Sequence, residues 1–410
     1  MKICIVNEFF KPHITGGAEL FLQHLIDYLI EDGYEIKVIT QQIGNEKIIE
    51  KVGKLSIHRI NSSPITIGHF KQIPGFTLPF NFFNLTLQKK LKEIIRDCDC
   101  VHINNLYHLS FAPIQSAKRL KKPIILDVHD YWPICFKKNL FYLDKQLCEK
   151  RYSSKCVKCL MKVNFFSSIS YPFLSPLVIY EFILRRKNLV FDELITHSKF
   201  MNDIIEKEFH KKTKIISCPY FGRNIVKKNK IVNKIVNLLF VGRLEYSKGA
   251  HLIIPIANEL EKRKIEYKID VVGRGSMLNK LKSKSKNENL NINFHGFIDD
   301  SQKFSIMEKC HIMLIPSLWY EPFGIVALEA MAFGIPVVTS GRGGLKEIVD
   351  KNKTGIISEP LPNSIVNKIE FLIKNKLEYE KLSENGLKRI NKFDSKKIFE
   401  EYKKIFEDIV

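Results

Sequence analysis

The sequence predicts an α/β protein with two doubly wound domains that face a cleft. Short apolar segments typical of buried strands alternate along the whole chain with longer amphipathic segments typical of helices. This alternation indicates parallel sheets with helical crossovers. At 410 residues the chain is long enough for about two domains. A composition of 45% hydrophobic and 27% charged residues allows large buried cores and excludes a disordered chain.

Each strand is assigned to a short apolar segment, and each helix to a longer segment whose apolar residues recur every three or four positions. The predicted strands are 2–6, 35–40, 100–103, 123–128, 193–196, 214–217, 236–241, 267–272, 291–294, 311–315 and 335–339. The clearest helical segments are 18–32, 86–97, 250–264 and 364–376. No tandem repeat interrupts this order, which argues against a solenoid.

A lysine-rich stretch, 225–235, separates two series of alternating elements and comes soon after Cys218. We therefore predict an N-terminal domain over 1–218 and a C-terminal domain over 219–394. The last helix, about 395–410, is expected to pack back on the N-terminal domain.

The chain is strongly basic, with 65 Lys and Arg against 44 Asp and Glu and a net charge of +21. Residues 51–250 carry 35 basic and 14 acidic side chains, which accounts for the whole excess. Such a charge indicates an anionic partner: nucleic acid, a membrane surface or a phosphorylated substrate. Lysine-rich surface helices without a partner are the alternative interpretation.

Neither a signal peptide nor a spanning helix is predicted. Lys2 is followed directly by the apolar run of a first strand, which is too short for a signal peptide. The uncharged stretch 163–180 contains four serines and two prolines, whereas a spanning helix needs about 20 mostly apolar residues. Packed helices and shallow membrane contact remain the two interpretations of this stretch. We expect a cytoplasmic protein.

The loop after the first strand contains Gly16 and Gly17 and leads into a helix. Adjacent glycines let the backbone approach a ligand closely, and the helix offers free amides to a phosphate. The spacing differs from the dinucleotide-binding fingerprint, so an ordinary tight turn is the alternative.

His129 lies between Asp127 and Asp130, just after the predicted strand 123–128. Open α/β sheets bind ligands at the carboxyl ends of their strands. A histidine beside a carboxylate can orient a hydroxyl or help to move a proton. A structural His-Asp pair accounts for the same pattern equally well.

The first strand of the C-terminal domain ends at Gly242 and Arg243, and Lys248 and Gly249 follow five residues later. Two fixed cations beside a flexible loop suit a diphosphate. Surface arginines and lysines are common, so this motif needs further support.

That support comes from the segment 316–330, in which two carboxylates, Glu321 and Glu329, flank the start of a helix. Pro322 is predicted to lie in the first helical turn, which leaves the amides of Phe323, Gly324 and Ile325 free to receive phosphate or sugar oxygens. Carboxylates accept hydrogen bonds from vicinal hydroxyls, so one suits a hexose and the other a ribose.

Together these motifs resemble the family 4 retaining glycosyltransferases of the GT-B fold. The matching pieces are Gly16-Gly17, Val128-His129-Asp130, Thr196 to Phe200, Gly242-Arg243 with Lys248-Gly249, the pair Glu321 and Glu329, Gly334 to Val338, and Gly343-Gly344. The resemblance covers nearly the whole chain. It implies a C-terminal domain that binds a nucleotide sugar and an N-terminal domain that binds the acceptor.

The resemblance also implies roles for individual residues. Arg243 and Lys248 would neutralise the diphosphate, Glu321 and His129 would contact the transferred sugar, and Glu329 would hold the ribose. The remaining predicted donor contacts are Gly16, Gly17, Gly273, Phe297, Ile298, Phe323, Gly324 and Ile325.

Catalysis is expected to need no metal or other cofactor, because arginine, lysine and helix amides can stabilise the leaving diphosphate. Retention of the anomeric configuration is implied by the resemblance alone.

Four of the nine cysteines fall within 25 residues: Cys135, Cys148, Cys156 and Cys159. In a cytosolic chain such clustering favours metal ligation, and structural zinc is the leading hypothesis. Free thiols, another cluster or a disulfide are the alternatives.

The predicted activity is transfer of a sugar from a UDP- or GDP-type donor to a glycan or lipid-linked acceptor in cell-surface polysaccharide or glycoconjugate synthesis. A sugar-nucleotide 2-epimerase is the alternative enzyme, and a basic nucleic-acid-binding protein is the alternative outside the enzymes. No nucleic-acid partner is expected, because that function leaves the site motifs unexplained. The basic first half instead suggests an anionic membrane surface or a pyrophosphate-linked lipid, and thus a cytoplasmic enzyme that binds the inner face of the membrane peripherally.

Overall fold

The protein folds around two parallel β-sheets. A computed structural model describes residues 1–14, 16–61, 85–106, 109–135, 137–143, 146–148, 156, 158–159, 180, 183–222, 234–349 and 353–410. The first sheet has eight strands and lies in the N-terminal half, and the second has six strands and lies in the C-terminal half. Helices pack on both sheets, so the predicted doubly wound α/β class is confirmed.

The N-terminal strands are, in chain order, β1 Lys2–Val6, β2 Glu35–Gln41, β3 Ile49–Val52, β4 Leu55–Ile60, β5 Cys100–Ile103, β6 Ile124–Val128, β7 Phe141–Tyr142, β8 Gln146–Leu147, β9 Glu193–Thr196 and β10 Lys214–Ile215. β7 and β8 pair only with each other. The other eight strands lie in the order β10-β9-β6-β5-β1-β2-β4-β3. All are parallel except the edge strand β3, which runs antiparallel to β4.

The helices of the N-terminal half include α1 Gly17–Glu31, α2 Leu85–Ile95, α3 Ala112–Arg119 and α4 Lys199–Phe209. The sequence predicted α1 and α2 to within one or two residues. It missed β3 and β4, because β3 is an exposed edge strand with two charged residues among its four and β4 places Ser56, His58 and Arg59 between its apolar residues. These strands extend the sheet beyond β2.

The C-terminal strands are β11 Val236–Val241, β12 Tyr267–Val272, β13 Ile292–Gly296, β14 Ile312–Ile315, β15 Val337–Thr339 and β16 Gly355–Ile357. They lie in the order β13-β12-β11-β14-β15-β16, and all their pairings are parallel. Their helices are α5 Ile253–Lys262, α6 Leu278–Asn287, α7 Asp300–Lys309, α8 Ile325–Ala332, α9 Leu345–Val349, α10 Pro362–Lys374, α11 Lys376–Arg389 and α12 Ser395–Ile409.

The final helix, α12, returns to the N-terminal half of the chain. Phe399 and Tyr402 of α12 pack against Phe21 of α1, with ring centroids 5.9 and 5.5 Å apart. Just before α12, Asp394 forms an isolated β-bridge with Tyr220. The Asp394 side chain also caps α12, by accepting a hydrogen bond from the Lys397 amide. The boundary predicted between residues 218 and 219 stays a prediction. Among the described residues, no helix combines the length and the apolar character needed to cross a membrane.

Candidate functional site

The C-terminal sheet has a switch point between β11 and β14. The chain continues from β11 to β12 and β13 on one side, then returns to place β14 on the other side of β11. Ligands of open α/β sheets bind outside the carboxyl ends of the strands at such a point. The loop after β11 carries Arg243 and Lys248, and the loop after β14 carries Glu321.

Lys248 and Glu321 form an ion pair at this switch point. The Lys248 ammonium lies 2.7 and 2.8 Å from the two carboxylate oxygens of Glu321 and 4.7 Å from the ring centroid of Trp319. The Ser317 hydroxyl donates a further hydrogen bond to Glu321, at 2.5 Å. The Lys248 side chain is 20% exposed and that of Glu321 7%. The pair is therefore held within the cleft wall and not on the open surface.

The pair also sets the ionisation of its members. Burial alone would raise the pKa of Glu321, but the Lys248 ammonium and the Ser317 hydroxyl bring this pKa below its ordinary value. Burial lowers the pKa of Lys248, as does nearby Arg243, and Glu321 only partly opposes that shift. Arg243 itself is exposed at the cleft. The loop after β11 thus places two cations, Arg243 and Lys248, beside the loop after β14 that carries Glu321.

Close backbone packing fixes the loop that carries Glu321. Gly343 forms an isolated bridge with Glu321, and the Gly344 amide donates to the Glu321 carbonyl at 2.8 Å. Gly343 has φ +67°, and a Cβ there would lie within 3.0 Å of the Glu321 backbone. Only glycine fits this approach without moving the loop.

The N-termini of α1 and α8 face each other. Gly16 is the N-cap of α1 and Gly324 the N-cap of α8, and a Cβ on Gly17 would lie 2.9 Å from the Ile325 side chain. Two helix N-termini directed at one space favour an anion there. The prediction that Pro322 lies in the first helical turn is wrong, because α8 begins only at Ile325.

This correction has a local cause. Gly324 has φ +115°, and a Cβ there would lie within 3.0 Å of Leu345. The chain therefore turns sharply at Gly324 before the helix starts, with Pro322 and Phe323 buried in the preceding loop. Phe323 and Gly324 therefore precede α8 and Ile325 begins it. Their predicted contact with the donor stays a prediction.

The loops after β11, β12 and β13 form the adjoining edge of the site. The Gly273 amide donates to the Gly296 carbonyl at 2.7 Å, and a Cβ on Gly273 would overlap the Gly242 carbonyl. Next to them, the exposed Phe297 ring lies 5.7 Å from the Arg274 guanidinium, and Ile298 is half-buried. The exposed ring gives this edge a flat apolar surface. The predicted contacts of Gly273, Phe297 and Ile298 with the donor stay predictions.

Glu329 lies one turn into α8, apart from Glu321. Its carboxylate accepts a hydrogen bond from Lys303 of α7 at 2.8 Å. Burial raises the pKa of Glu329 above its ordinary value, and Lys303 only partly offsets this effect. The two predicted glutamates therefore occupy different positions, each with its own lysine.

His129 lies in the N-terminal half, within a buried polar cluster after β6. Its Nε2 is 3.3 Å from the Asp127 carboxylate, and its ring stacks on His197 with centroids 4.0 Å apart. Asp127 also accepts hydrogen bonds from His102 at 3.2 Å and from Tyr402 at 2.9 Å. The predicted contact of His129 with the sugar stays a prediction.

Contacts between the two halves of the chain surround this region. The Ser198 hydroxyl donates to the Pro322 carbonyl at 2.6 Å, and Glu347 accepts hydrogen bonds from the Lys199 and Phe200 amides at 2.9 and 2.7 Å. Glu347 thereby caps the N-terminus of α4 from the other half of the chain. These contacts hold the loop of Glu321 next to the N-terminal domain.

Three of the four clustered cysteines, Cys135, Cys148 and Cys159, have contacts with the β7–β8 hairpin or the residues just before it. Burial raises the pKa of the Cys135 thiol, while the backbone amides of Lys137, Asn139 and Leu140 oppose that shift by hydrogen bonding to the sulfur. The Leu143 amide donates to Cys159 Sγ at 3.4 Å. Amides directed at sulfur suit bound thiolates. Zinc binding by Cys135, Cys148, Cys156 and Cys159 stays a prediction.

Sequence reasoning missed several residues that complete these groups. Ser317 lies only 4 residues before Glu321, whereas Lys303 lies 26 residues before Glu329, on another helix. Neither belonged to a motif of its own. The sequence signal for such a group is clearest at Asp127. A carboxylate near the end of a buried parallel strand needs a polar partner. Its partners His197 and Tyr402 lie 70 and 275 residues away.

The fold and the site define a GT-B glycosyltransferase. Residues 222–389 match the family model described as glycosyl transferases group 1, and residues 15–220 match the model of Glycosyltransferase Family 4. The chain belongs to this family, as its motifs indicated.

Relatives and solved structures agree with this assignment. An uncharacterized glycosyltransferase of Methanocaldococcus jannaschii is 26% identical, over 93% of this chain and 95% of its own. An uncharacterized protein in the cps region of Klebsiella pneumoniae is 29% identical, over 85% and 87%. Sucrose-phosphate synthase from Thermosynechococcus elongatus has a TM-score of 0.71 at 18% identity, over 99% and 98%. Anabaena HepE in complex with UDP-glucose has a TM-score of 0.68 at 18% identity, over the full length of both chains.

Proposed function

We propose that this glycosyltransferase moves a sugar from a UDP- or GDP-type donor to a glycan or lipid-linked acceptor, with retention of the anomeric configuration and without a catalytic metal. The main support for this proposal is that Lys248, Arg243 and two helix N-termini lie together at one switch point. Cations and free amides are the groups that stabilise a leaving diphosphate. HepE in complex with UDP-glucose supports a UDP-type donor, and the relative in a cps region supports polysaccharide synthesis.

In this proposal the diphosphate lies between the N-termini of α1 and α8, beside Arg243 and Lys248. The sugar then lies against Glu321, whose carboxylate accepts hydrogen bonds from its hydroxyls. Glu329 binds the ribose: its carboxylate gives up the hydrogen bond from Lys303 and accepts hydrogen bonds from the two ribose hydroxyls instead. The exposed Phe297 ring lies where the base would stack. Enclosure between the two domains excludes water and favours transfer over hydrolysis.

A donor screen tests this proposal directly. UDP or GDP should raise the melting temperature, by the equivalent of about 2.7 kcal/mol at a concentration 100 times the dissociation constant. Glu329→Ala should weaken that shift, because it removes the carboxylate proposed to hold the ribose. The labelled sugar of the matching donor should appear in a glycoside whose anomeric configuration, read by NMR, equals that of the donor.

The control for this screen is the same reaction with EDTA, which should leave the rate unchanged. An epimerised nucleotide sugar without a glycoside would assign the site to an epimerase. If EDTA abolished the reaction and an added divalent ion restored it, catalysis would depend on a metal, and that part of the proposal would be wrong.

We also propose that the basic first half of the chain brings the enzyme to an anionic membrane surface carrying its acceptor. The support is the charge distribution, since residues 51–250 account for the whole net charge of +21. Each basic residue near an anionic surface contributes about 1 kcal/mol, and salt screens that attraction. In liposome flotation the protein should rise with anionic vesicles at low salt and stay behind at high salt. Equal recovery with neutral and anionic vesicles would contradict the membrane proposal.

A further inference from the structure

Three side chains with metal-binding atoms converge behind the candidate site. His129 follows the carboxyl end of β6, His197 follows that of β9, and Cys218 comes shortly after β10. These strands are neighbours in the order β10-β9-β6, so residues just beyond their ends meet at one edge of the sheet. We propose that His129, His197 and Cys218 bind a zinc ion, or a similar divalent metal ion, in the interior of the N-terminal domain.

The spacing of the three ligand atoms suits a single ion. One atom from each residue, a histidine nitrogen or the cysteine sulfur, lies within 4.8 Å of the other two. A tetrahedral ion with ligands at about 2.0–2.3 Å separates its ligand atoms by about 3.3–3.6 Å. A small inward movement of the side chains therefore completes the geometry. Two imidazoles and a thiolate are ligands that zinc prefers.

The hydrogen bonds leave the coordinating nitrogens available. His197 Nδ1 lies 2.8 Å from the Ile216 carbonyl, which fixes the proton on Nδ1 and turns the lone pair of Nε2 inward. Metal-binding histidines are usually held in this way by a backbone carbonyl. Within the part of the chain that the structure describes, Nε2 of His129 and Nε2 of His197 are buried and make no hydrogen bond. Their nearest polar partner is the Asp127 carboxylate, 3.3 Å from His129 and 3.0 Å from His197, which pairs with these rings only when they are protonated. In the neutral rings, the same nitrogens are available to a metal ion.

The charges around the cluster balance a divalent ion. Asp127 is fully buried, and its two carboxylate oxygens lie 3.0 Å from His197 Nε2 and 3.3 Å from His129 Nε2. His102 and Tyr402 bond one of these oxygens, Oδ2, while Oδ1 makes no hydrogen bond among the described residues. A carboxylate and a thiolate together neutralise two positive charges. Asp127 is thus placed to serve as a fourth ligand or as the counter-charge.

The consequence is structural and is independent of the donor proposal. An ion at this position joins the ends of three strands, and Asp127 connects it to Tyr402 of α12. If His129 also contacts the donor sugar, it does so with its other ring nitrogen, Nδ1. Metal binding then fixes the orientation of a ring on the cleft wall. Failure of the donor screen leaves this site untouched, and absence of the metal leaves the donor site untouched.

Metal content and the identity of the ligands test the proposal. The full-length Cys156→Ser, Cys159→Ser double variant disables the separate four-cysteine cluster. Purified without chelator, this variant should keep about one zinc ion per chain. X-ray absorption at the zinc edge should then show nitrogen and oxygen ligands with a single sulfur. Adding Cys218→Ala should remove that ion and lower the melting temperature.

Cys310→Ala is the matched control, because Cys310 is equally buried but lies in the C-terminal domain; it should leave the zinc content unchanged. A double variant that holds no zinc, and takes up none when zinc is added at neutral pH, would overturn the proposal. A zinc ion with more than one sulfur ligand would overturn it as well. The zinc content and the ligand set are both measured on a protein in which His129, His197 and Cys218 are intact. The test therefore stays decisive even if the Cys218→Ala protein does not fold.

Discussion

Lys248→Ala should lower the rate of sugar transfer by about 10²–10³-fold, the usual cost of removing one fixed group that stabilises charge in the transition state. Lys248 lies at the switch point between β11 and β14, where its ammonium can leave Glu321 for the diphosphate. Glu321→Ala should have a comparable effect, through loss of the sugar contact. Initial rates with a saturating donor measure both.

These substitutions also act on stability. The Lys248–Glu321 pair is mostly buried, and removing one partner of a buried pair costs about 3–5 kcal/mol because the other charge is left uncompensated. Lys248→Ala leaves Glu321 with the Ser317 hydroxyl as its nearest donor, so we expect destabilisation toward the lower end of that range.

A double variant separates the two effects. Lys248→Met with Glu321→Gln removes both charges and keeps the side-chain volumes. Its midpoint of denaturant unfolding should therefore be close to that of the native protein, while the enzyme stays inactive. The control is Lys268→Ala, which breaks the ion pair of Lys268 with Asp270 on β12, 3.1 Å apart, without touching the cleft. A double variant that transfers sugar within tenfold of the native rate would remove this pair from the mechanism.

Local sequence patterns were sufficient for the fold class and for the loops that carry the site. A buried parallel strand is a short apolar run whatever its partners, so β1, β5, β9, β11 and β12 could be located without knowing the strand order. Edge strands differ. Because β3 is exposed on most of its surface, its residues show neither an apolar run nor an alternation.

Contacts between residues that are far apart in the chain could not be predicted from the sequence. Lys248 and Glu321 are 73 residues apart, and they meet only because β14 returns to the far side of β11. Nothing in either motif specifies that strand order. The same holds for Asp127, whose partners come from β5, β9 and α12. The residue types at the site could be predicted, but the groups that set their charge and position could not.

Removing residues 395–410 should leave an N-terminal domain that does not fold. The α12 residues that face the domain are all buried: Ile398, Phe399, Tyr402, Ile405 and Phe406. Burying one such side chain contributes about 1.5–3 kcal/mol, so their sum is comparable to a domain's whole stability of about 5–15 kcal/mol. The truncated chain should be recovered only as aggregate, as judged by size-exclusion chromatography, while the full chain elutes as a folded species.

Point substitutions in α12 show whether packing or the hydrogen bond to Asp127 dominates. Tyr402→Ala should cost about 3–5 kcal/mol, as large-to-small changes of buried aromatic residues do. Tyr402→Phe keeps the ring against Phe21 and removes only the donor to Asp127, which should cost about 1–3 kcal/mol. Lys404→Ala, at an exposed position of the same helix, should stay within about 0.5 kcal/mol of native in urea denaturation. If Tyr402→Ala proved as stable as Lys404→Ala, α12 would not support the N-terminal domain, and the buried cluster around Asp127 would have to be held by the sheet alone.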